Sequence, residues 1–130
     1  MARAVTSDEV MQAVIEIMGV RWVWGVSDCS AAACDVFNRL HGIDPLRPIR
    51  GSYSTAIGAR RVQGRDWAAK CIWLAQRAGL RETDGNTGDL ALVESERGLS
   101  LAVGIHARQW AGKTAGGFAT VQYPVIAWGI

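Results

Sequence analysis

The spacing of hydrophobic and polar positions changes late in the chain. In the first part, apolar residues recur at helical spacing, which predicts amphipathic helices. From Gly88 onward, short β-favouring runs are punctuated by glycine and proline, which predicts strands. Helices followed by strands are typical of an α+β domain with an antiparallel sheet. The length of 130 residues predicts a single domain, residues 1–130.

Residues suited to helix ends divide the first part into four predicted helices. Thr6 and Glu9 have the form of a capping box, and aspartates suit two later N-caps. The predicted helices begin after Thr6 or Ser7, Asp28, Ser54 and Asp66, and they end near Gly19, Leu40, Val62 and Ala78. The stretch Val20–Val26, with two tryptophans, is expected to be extended. The predicted strands are Leu90–Val93, Leu101–Ile105, Phe118–Gln122 and Val125–Trp128.

The net charge of +2 argues against nucleic-acid binding through the whole molecule. The charge is uneven, because residues 39–81 hold nine lysines or arginines against two acids. One interpretation is an ordinary solvated basic surface. The other is a face that docks an acidic partner protein or an anionic cell-wall polymer.

Other sequence features exclude several classes of protein. No apolar run approaches the ~20 residues of a membrane span, and the start lacks the apolar stretch of a signal peptide. The three cysteines, Cys29, Cys34 and Cys71, form no C-x-x-C pair, which argues against a disulfide framework or a zinc site. No cofactor is expected. Cys34 and Cys71 are predicted to be small buried hydrophobes, and Trp67 and Trp73 are predicted to lie in the core.

Cys29 is the residue with the clearest chemical potential. It follows the predicted N-cap Asp28, so it lies at the positive end of a helix, where the thiolate is stabilised over the thiol. A thiolate is the nucleophile that acyl transfer needs, and the free N–H groups of the helix can bind an oxyanion. The alternative is a structural cysteine in the first turn.

The residues around Cys29 resemble a known family. Trp24–Ser30, with the sequence Trp-Gly-Val-Ser-Asp-Cys-Ser, resembles the nucleophile turn of the NlpC-type cell-wall peptidases, a papain-like superfamily. Gly88–Leu90 resembles that superfamily's Gly-Asp-Leu. The match runs from about Trp22 to the C-terminus. Further segments resemble a phage subgroup encoded among tail genes of siphophages and gene transfer agents: Gly42–Pro45, Arg50–Thr55, Gly104–Ile105 and Ala127–Trp128.

The resemblance implies a papain-like fold, with a cysteine-bearing helix packed on the antiparallel sheet. It also implies cleavage of peptide bonds in peptidoglycan stems, with Cys29 as nucleophile and a histidine base on the strand after Gly-Asp-Leu. The usual His-Val-Gly-Ile aligns with residues 102–105, so the position of the base holds Ala102. The region of the third, orienting residue offers only Lys113 and Thr114 as candidates.

The chain has two histidines, and each is a candidate to replace the missing base. His41 lies twelve residues after Cys29, about 18 Å along a helix, and is expected at the helix end instead. His106 has the strand parity of Ala102 but lies roughly 13 Å farther along, so a bulge or shifted register is needed. Cys29 and His106 are therefore the candidate catalytic pair. The alternative is that His106 is a polar residue at a strand end.

These features support competing hypotheses of function. The first is a structural, degenerate member of the peptidase fold in the tail tip of a phage or phage-like particle. It would be made in the host cytoplasm, contact hub or baseplate proteins and act at the cell envelope. The alternative is an active cysteine endopeptidase that cleaves peptidoglycan. A third hypothesis is a tail-assembly chaperone that is absent from the finished particle.

Overall fold

The computed structural model describes residues 4–130, which contain four helices and six strands. The helices are α1 (Ser7–Met18), α2 (Cys29–His41), α3 (Ala56–Gln63) and α4 (Trp67–Arg77). The strands are β1 (Arg81–Thr83), β2 (Leu90–Ser95), β3 (Gly98–His106), β4 (Gln109–Thr114), β5 (Gly117–Val121) and β6 (Ile126–Gly129).

The six strands form one sheet in the order β1-β6-β2-β3-β4-β5. Every neighbouring pair is antiparallel. The predicted α+β class, with helices preceding an antiparallel sheet, is therefore confirmed. β2 and β5 also approach each other across two intervening strands, so the sheet is strongly curled.

The two faces of the sheet bury different side chains. Leu101, Val103 and Ile105 of β3 pack with residues of α1, α2 and α4 in the larger core. Ala102 belongs to a second cluster on the opposite face, where the fully buried Trp110 is the largest side chain. This alternation is what a strand dictates, since successive side chains point to opposite faces.

α2 is the central helix and packs on β2, β3 and β4. Asp28 begins it, because the carboxylate accepts a hydrogen bond from the amide of Ala31. Gly42 ends it at a φ of +74°, a left-handed conformation that favours glycine. The small residues 31–33 are fully buried, which lets the helix backbone approach its neighbours closely.

Several sequence expectations were wrong in detail. The third helix is capped by Thr55 rather than Ser54, since the Thr55 hydroxyl accepts from the Gly58 amide. Residues 24–26 form a turn instead of continuing an extended segment, and a hydrogen bond from the Val26 amide to the Val23 carbonyl closes this turn. The side chain of Trp73 is 44% exposed rather than in the core.

The predicted burial of Cys34 and Cys71 is confirmed, since each is at most 3% exposed. Trp67 packs against the larger core, as expected. Within residues 4–130, no helix combines the length and the apolar character that crossing a membrane requires.

Candidate functional site

The turn that precedes Cys29 is organised by one buried carboxylate. Asp28 is 1% exposed, and both of its oxygens accept hydrogen bonds. Oδ1 accepts from the amide of Ala31 at 2.9 Å. Oδ2 accepts from the amide of Gly25 and from the hydroxyl of Tyr53, each at 2.7 Å. These three donors compensate for the loss of water around the buried charge.

Gly25 is required by the shape of this turn. Its φ is +82°, in the left-handed region. A Cβ added there would lie 2.1 Å from the carbonyl oxygen of Tyr53, which is backbone and cannot simply move aside. The Gly-x-x-Asp-Cys pattern therefore has a local structural cause: glycine turns the chain, and the aspartate binds the turn and the helix together.

The loop after α2 braces that helix through charged side chains. Arg50 donates to both oxygens of Asp44, at 2.7 and 2.9 Å, and forms an ion pair with Asp35 of α2 at 2.9 Å. Tyr53 of the same loop reaches Asp28 at the start of α2. The sequence predicted neither link, because residue spacing does not show which loop side chain meets which helix.

The Cys29 thiol lies beside this turn as the first residue of α2 and is partly exposed. Its Sγ is 3.9 Å from the hydroxyl oxygen of Ser30. Burial, followed by the negative charge of Asp28, raises the pKa of the thiol, and Ser30 and Arg97 only partly oppose this. The sequence-based expectation of a stabilised thiolate is therefore not met, because the raised pKa favours the thiol over the thiolate.

A cationic and aromatic cluster lies near Cys29. The guanidinium of Arg97, in the β2–β3 turn, is stacked 4.8 Å from the ring centroid of Trp22. Trp22 meets Trp24 edge to face, with centroids 5.1 Å apart. Both tryptophans are half-buried, so they pack against each other and also line the surface. Arg97 is close enough to Cys29 for its charge to lower the thiol pKa.

His106 lies at the opposite end of β3 from this cluster. β3 runs from Gly98, next to Arg97, to His106, which is roughly 26 Å for a strand of this length. The His106 ring is exposed, and its Nδ1 accepts a hydrogen bond from the amide of Arg108 at 3.2 Å. A general base must come within about 3 Å of its proton.

The direction of α2 supports the same separation. Its last residue, His41, is hydrogen-bonded to the carbonyl of Gly88, and the Gly88 amide donates to the carbonyl of Gly104. The C-terminal end of α2 therefore lies at the His106 end of β3, and Cys29 lies at the other end. A register shift between Gly104 and His106 does exist, but it does not bring the two ends together. His106 as the base for Cys29 does not fit this structure.

His41 has the role expected at the end of a helix. Its Nε2 lies 2.8 Å from the Gly88 carbonyl oxygen, which can only accept, so Nε2 donates. The ring also packs on Phe37, with centroids 4.4 Å apart. His41 therefore joins α2 to the chain entering β2.

Ala102, which the resemblance to the NlpC-type peptidases aligns with their histidine base, faces away from α2. Ala102 is fully buried in the second cluster, on the sheet face away from α2. The first buried residue of β3 on the helix-facing side is Leu101. A one-residue shift of register exchanges the faces of a strand, so the aligned position does not transfer by sequence alone.

Lys113, a candidate for the orienting residue, has a structural role. It is 5% exposed, and its Nζ donates to the carbonyls of Met18 and Val20, at 2.8 and 2.5 Å. A third hydrogen bond goes to the carbonyl of Thr114. Burial lowers the pKa of Lys113. Lys113 therefore binds the C-terminal end of α1 to β4, and no histidine is among its hydrogen-bond partners.

Comparison with known families assigns the chain to one family. A family model described as a domain of unknown function, DUF6950, matches residues 3–130. The chain belongs to the DUF6950 family. No curated protein matches it. The description of DUF6950 names no reaction.

In this DUF6950 chain, a turn held by the hydrogen bonds of Asp28 precedes a thiol whose pKa is raised by burial and by Asp28. Both of its histidines lie toward the other end of α2, where His41 is bound to a carbonyl. In the part of the chain that the structure describes, no group of three or more histidine, cysteine or acidic side chains could hold a metal ion. Among residues 4–130, neither histidine lies where it could accept the proton of Cys29.

Proposed function

We propose that the protein is a tail-tip component of a phage or phage-like particle, with a papain-like cell-wall-peptidase fold that has lost catalysis. The observation that carries the proposal is the separation of the histidines from a thiol whose pKa is raised. The turn at Cys29 is retained as a structural unit. The tail location is supported by the resemblance of residues 42–55 and the Asp-Cys turn to a phage subgroup.

The physical argument concerns proton transfer. Acyl transfer by a thiol needs a thiolate and then a proton donor for the leaving amine. Burial and Asp28 both disfavour the thiolate at Cys29, whereas hydrogen bonds from Ser30 and the positive charge of Arg97 lower the thiol pKa only in part. Arginine stays protonated and cannot act as a base at neutral pH. Turnover is therefore expected to be absent.

The retained turn has a function without chemistry. Asp28 ties together the loop at Gly25, the loop at Tyr53 and the start of α2. Loss of any of these links loosens the helix that forms the centre of the core. A structural module in a tail tip needs this rigidity whether or not the thiol reacts.

A cleavage assay tests the enzymatic side of the proposal. Purified wild-type protein and Cys29→Ala are incubated with peptidoglycan sacculi, and released fragments are measured by mass spectrometry. We expect no stem-peptide cleavage by either protein. Cleavage by the wild type that disappears in Cys29→Ala would support the alternative, an active cysteine endopeptidase.

A particle assay tests the structural side. In a particle whose genes encode this chain, deletion is expected to prevent infection, whereas Cys29→Ala particles assemble and infect as the wild type does. Mass spectrometry of purified particles is expected to detect the chain. Its absence from finished particles, with assembly still dependent on it, would instead support the chaperone hypothesis.

A further inference from the structure

A surface cavity of about 670 Å³ lies at the C-terminal end of α2. The loop after α2 forms one side, and the last turns of α4 form the other. Ile43, Pro45, Leu74 and Ala78 supply apolar walls. The volume falls within the range of ordinary ligand sites, about 300–1,000 Å³. Cys29 is at the other end of α2, so this cavity is separate from the candidate site.

Two arginines give the cavity an unbalanced positive charge. Arg47 and Arg77 line it and are both exposed. Among the described residues, no carboxylate forms an ion pair with either of them. Asp44 also lines the cavity, and Arg50 donates to both of its oxygens while also pairing with Asp35. With Arg47 and Arg77 included, three arginines face two carboxylates, so the rim keeps a net positive charge.

The surroundings resemble a protein contact more than a site for a free metabolite. Arg77 stacks 5.4 Å from the ring centroid of Trp73, whose side chain is 44% exposed. Tryptophan and arginine are the residues most enriched at energetically important positions of protein interfaces. Here they adjoin a concave apolar surface.

We propose that this cavity binds an acidic, apolar segment of a partner protein. Carboxylates of the segment pair with Arg47 and Arg77 at the rim, and an apolar side chain enters between Ile43 and Leu74. An extended segment suits the site, since alternate side chains point to opposite sides and allow acids and apolar residues to be presented separately. The inference does not depend on the proposed function, because it uses none of the residues at Cys29.

A peptide-binding experiment tests the inference. The probe is a fluorescein-labelled octapeptide of alternating Glu and Leu, and binding to the full chain is followed by fluorescence anisotropy. Octapeptides of alternating Gln and Leu and of alternating Lys and Leu serve as charge controls. We expect saturable binding of the Glu-Leu probe, with affinity at least about tenfold lower for either control.

A matched pair of variants separates the cavity from general basic charge. Arg47→Ala with Arg77→Ala is expected to weaken binding of the Glu-Leu probe about tenfold. Arg60→Ala with Arg61→Ala removes the same charge from exposed positions of α3, outside the cavity, and is expected to change it less than twofold. Circular dichroism and thermal unfolding confirm that both double variants fold.

Four outcomes would overturn the inference. The first is equal loss of binding in the two double variants, which would indicate nonspecific charge attraction. The second is equal binding of the Gln-Leu control, which would indicate apolar contact alone. The third is absence of measurable binding by the wild type. The fourth is full displacement of the probe by an equally charged single-stranded oligonucleotide, which would point to a nucleic acid instead of a protein partner.

Discussion

The polar residues at the two ends of α2 differ in their hydrogen bonding. At the N-terminal end, Asp28 is saturated with hydrogen bonds, whereas the adjacent Cys29 thiol has one long contact to Ser30. At the C-terminal end, His41 is bound to the Gly88 carbonyl. A thiol and an imidazole that would have to meet for catalysis are thus about 18 Å apart along one helix.

The polar residues at the two ends of α2 have a structural role that the Cys29 thiol does not share. The carboxylate and the imidazole both bind backbone groups, and in doing so they join α2 to the loops at its two ends. The thiol binds nothing of comparable strength. If this contrast is correct, substitutions at Asp28 and His41 alter stability, while substitutions at Cys29 and His106 alter neither stability nor any activity.

The largest effect is expected from Asp28→Asn. Asparagine and aspartate are nearly equal as N-caps, so a capping role alone predicts almost no change. Here the Asn side chain would present an NH₂ group to donors that now point at a carboxylate, so at least one buried donor loses its acceptor. We expect a loss of about 2–4 kcal/mol in the free energy of unfolding, measured by urea denaturation.

Asp66→Asn is the matched control for this prediction. Asp66 caps α4 and is exposed, and its carboxylate accepts from the Ala69 amide at 3.0 Å. The same substitution there is expected to change the free energy of unfolding by less than about 0.5 kcal/mol. Equal effects at the two positions would contradict the special role of Asp28.

Tyr53→Phe is expected to have the next largest effect. The change removes one of the three donors to Asp28 and leaves the ring in place. A hydrogen bond to a buried charge is worth roughly 1.5–3 kcal/mol, and Tyr53 is only partly buried, so we expect a loss of about 1–2 kcal/mol. Tyr123→Phe is the control, since that residue is 61% exposed, and it is expected to be neutral. Equal unfolding midpoints for the two variants would argue against a stabilising hydrogen bond from Tyr53 to Asp28.

The two histidines provide the third prediction. His41→Ala removes the hydrogen bond to Gly88 and the contact with Phe37, and we expect a loss of about 1 kcal/mol. His106→Ala removes an exposed ring at the end of β3, and a change within about 0.5 kcal/mol is expected. Thermal unfolding of both variants measures the difference. A strong loss of any peptidoglycan cleavage in His106→Ala alone would contradict its assignment as a surface residue.

Much of the fold followed from the sequence, because local signals decide it. The helix starts at Thr6, Asp28 and Asp66 were predicted correctly, since a side-chain oxygen that caps a helix acts on an amide three residues away. β1 and β4 were not predicted. β1 has three residues, and β4 holds a glycine and a lysine, so neither gives a clear apolar alternation.

The site was harder to predict because it depends on contacts between distant segments. The position of Cys29 at a helix start was readable, but the raised thiol pKa depends on burial that no sequence pattern reports. The face of the sheet occupied by Ala102 depends on the register of β3, which a one-residue error inverts. Tyr53 and Asp28 are 25 positions apart, and only the fold brings them together.

The smallest predicted effect concerns the reactivity of the Cys29 thiol. Alkylation by iodoacetamide follows the thiolate fraction, and peptide mapping identifies Cys29 among the three cysteines. Because burial and Asp28 raise the thiol pKa, the alkylation rate is expected to reach half its maximum at a pH above the pKa of ~8.5 of a free cysteine.

Arg97→Gln removes a charge that favours the thiolate, so the alkylation rate at pH 8 is expected to fall by about twofold. The effect is modest because salt screens the charge of Arg97. Arg108→Gln, in the turn at the other end of β3, should leave the rate unchanged. Fast alkylation at pH 6 would mean that the thiolate is stable after all, and the enzymatic alternative would regain its chemical basis.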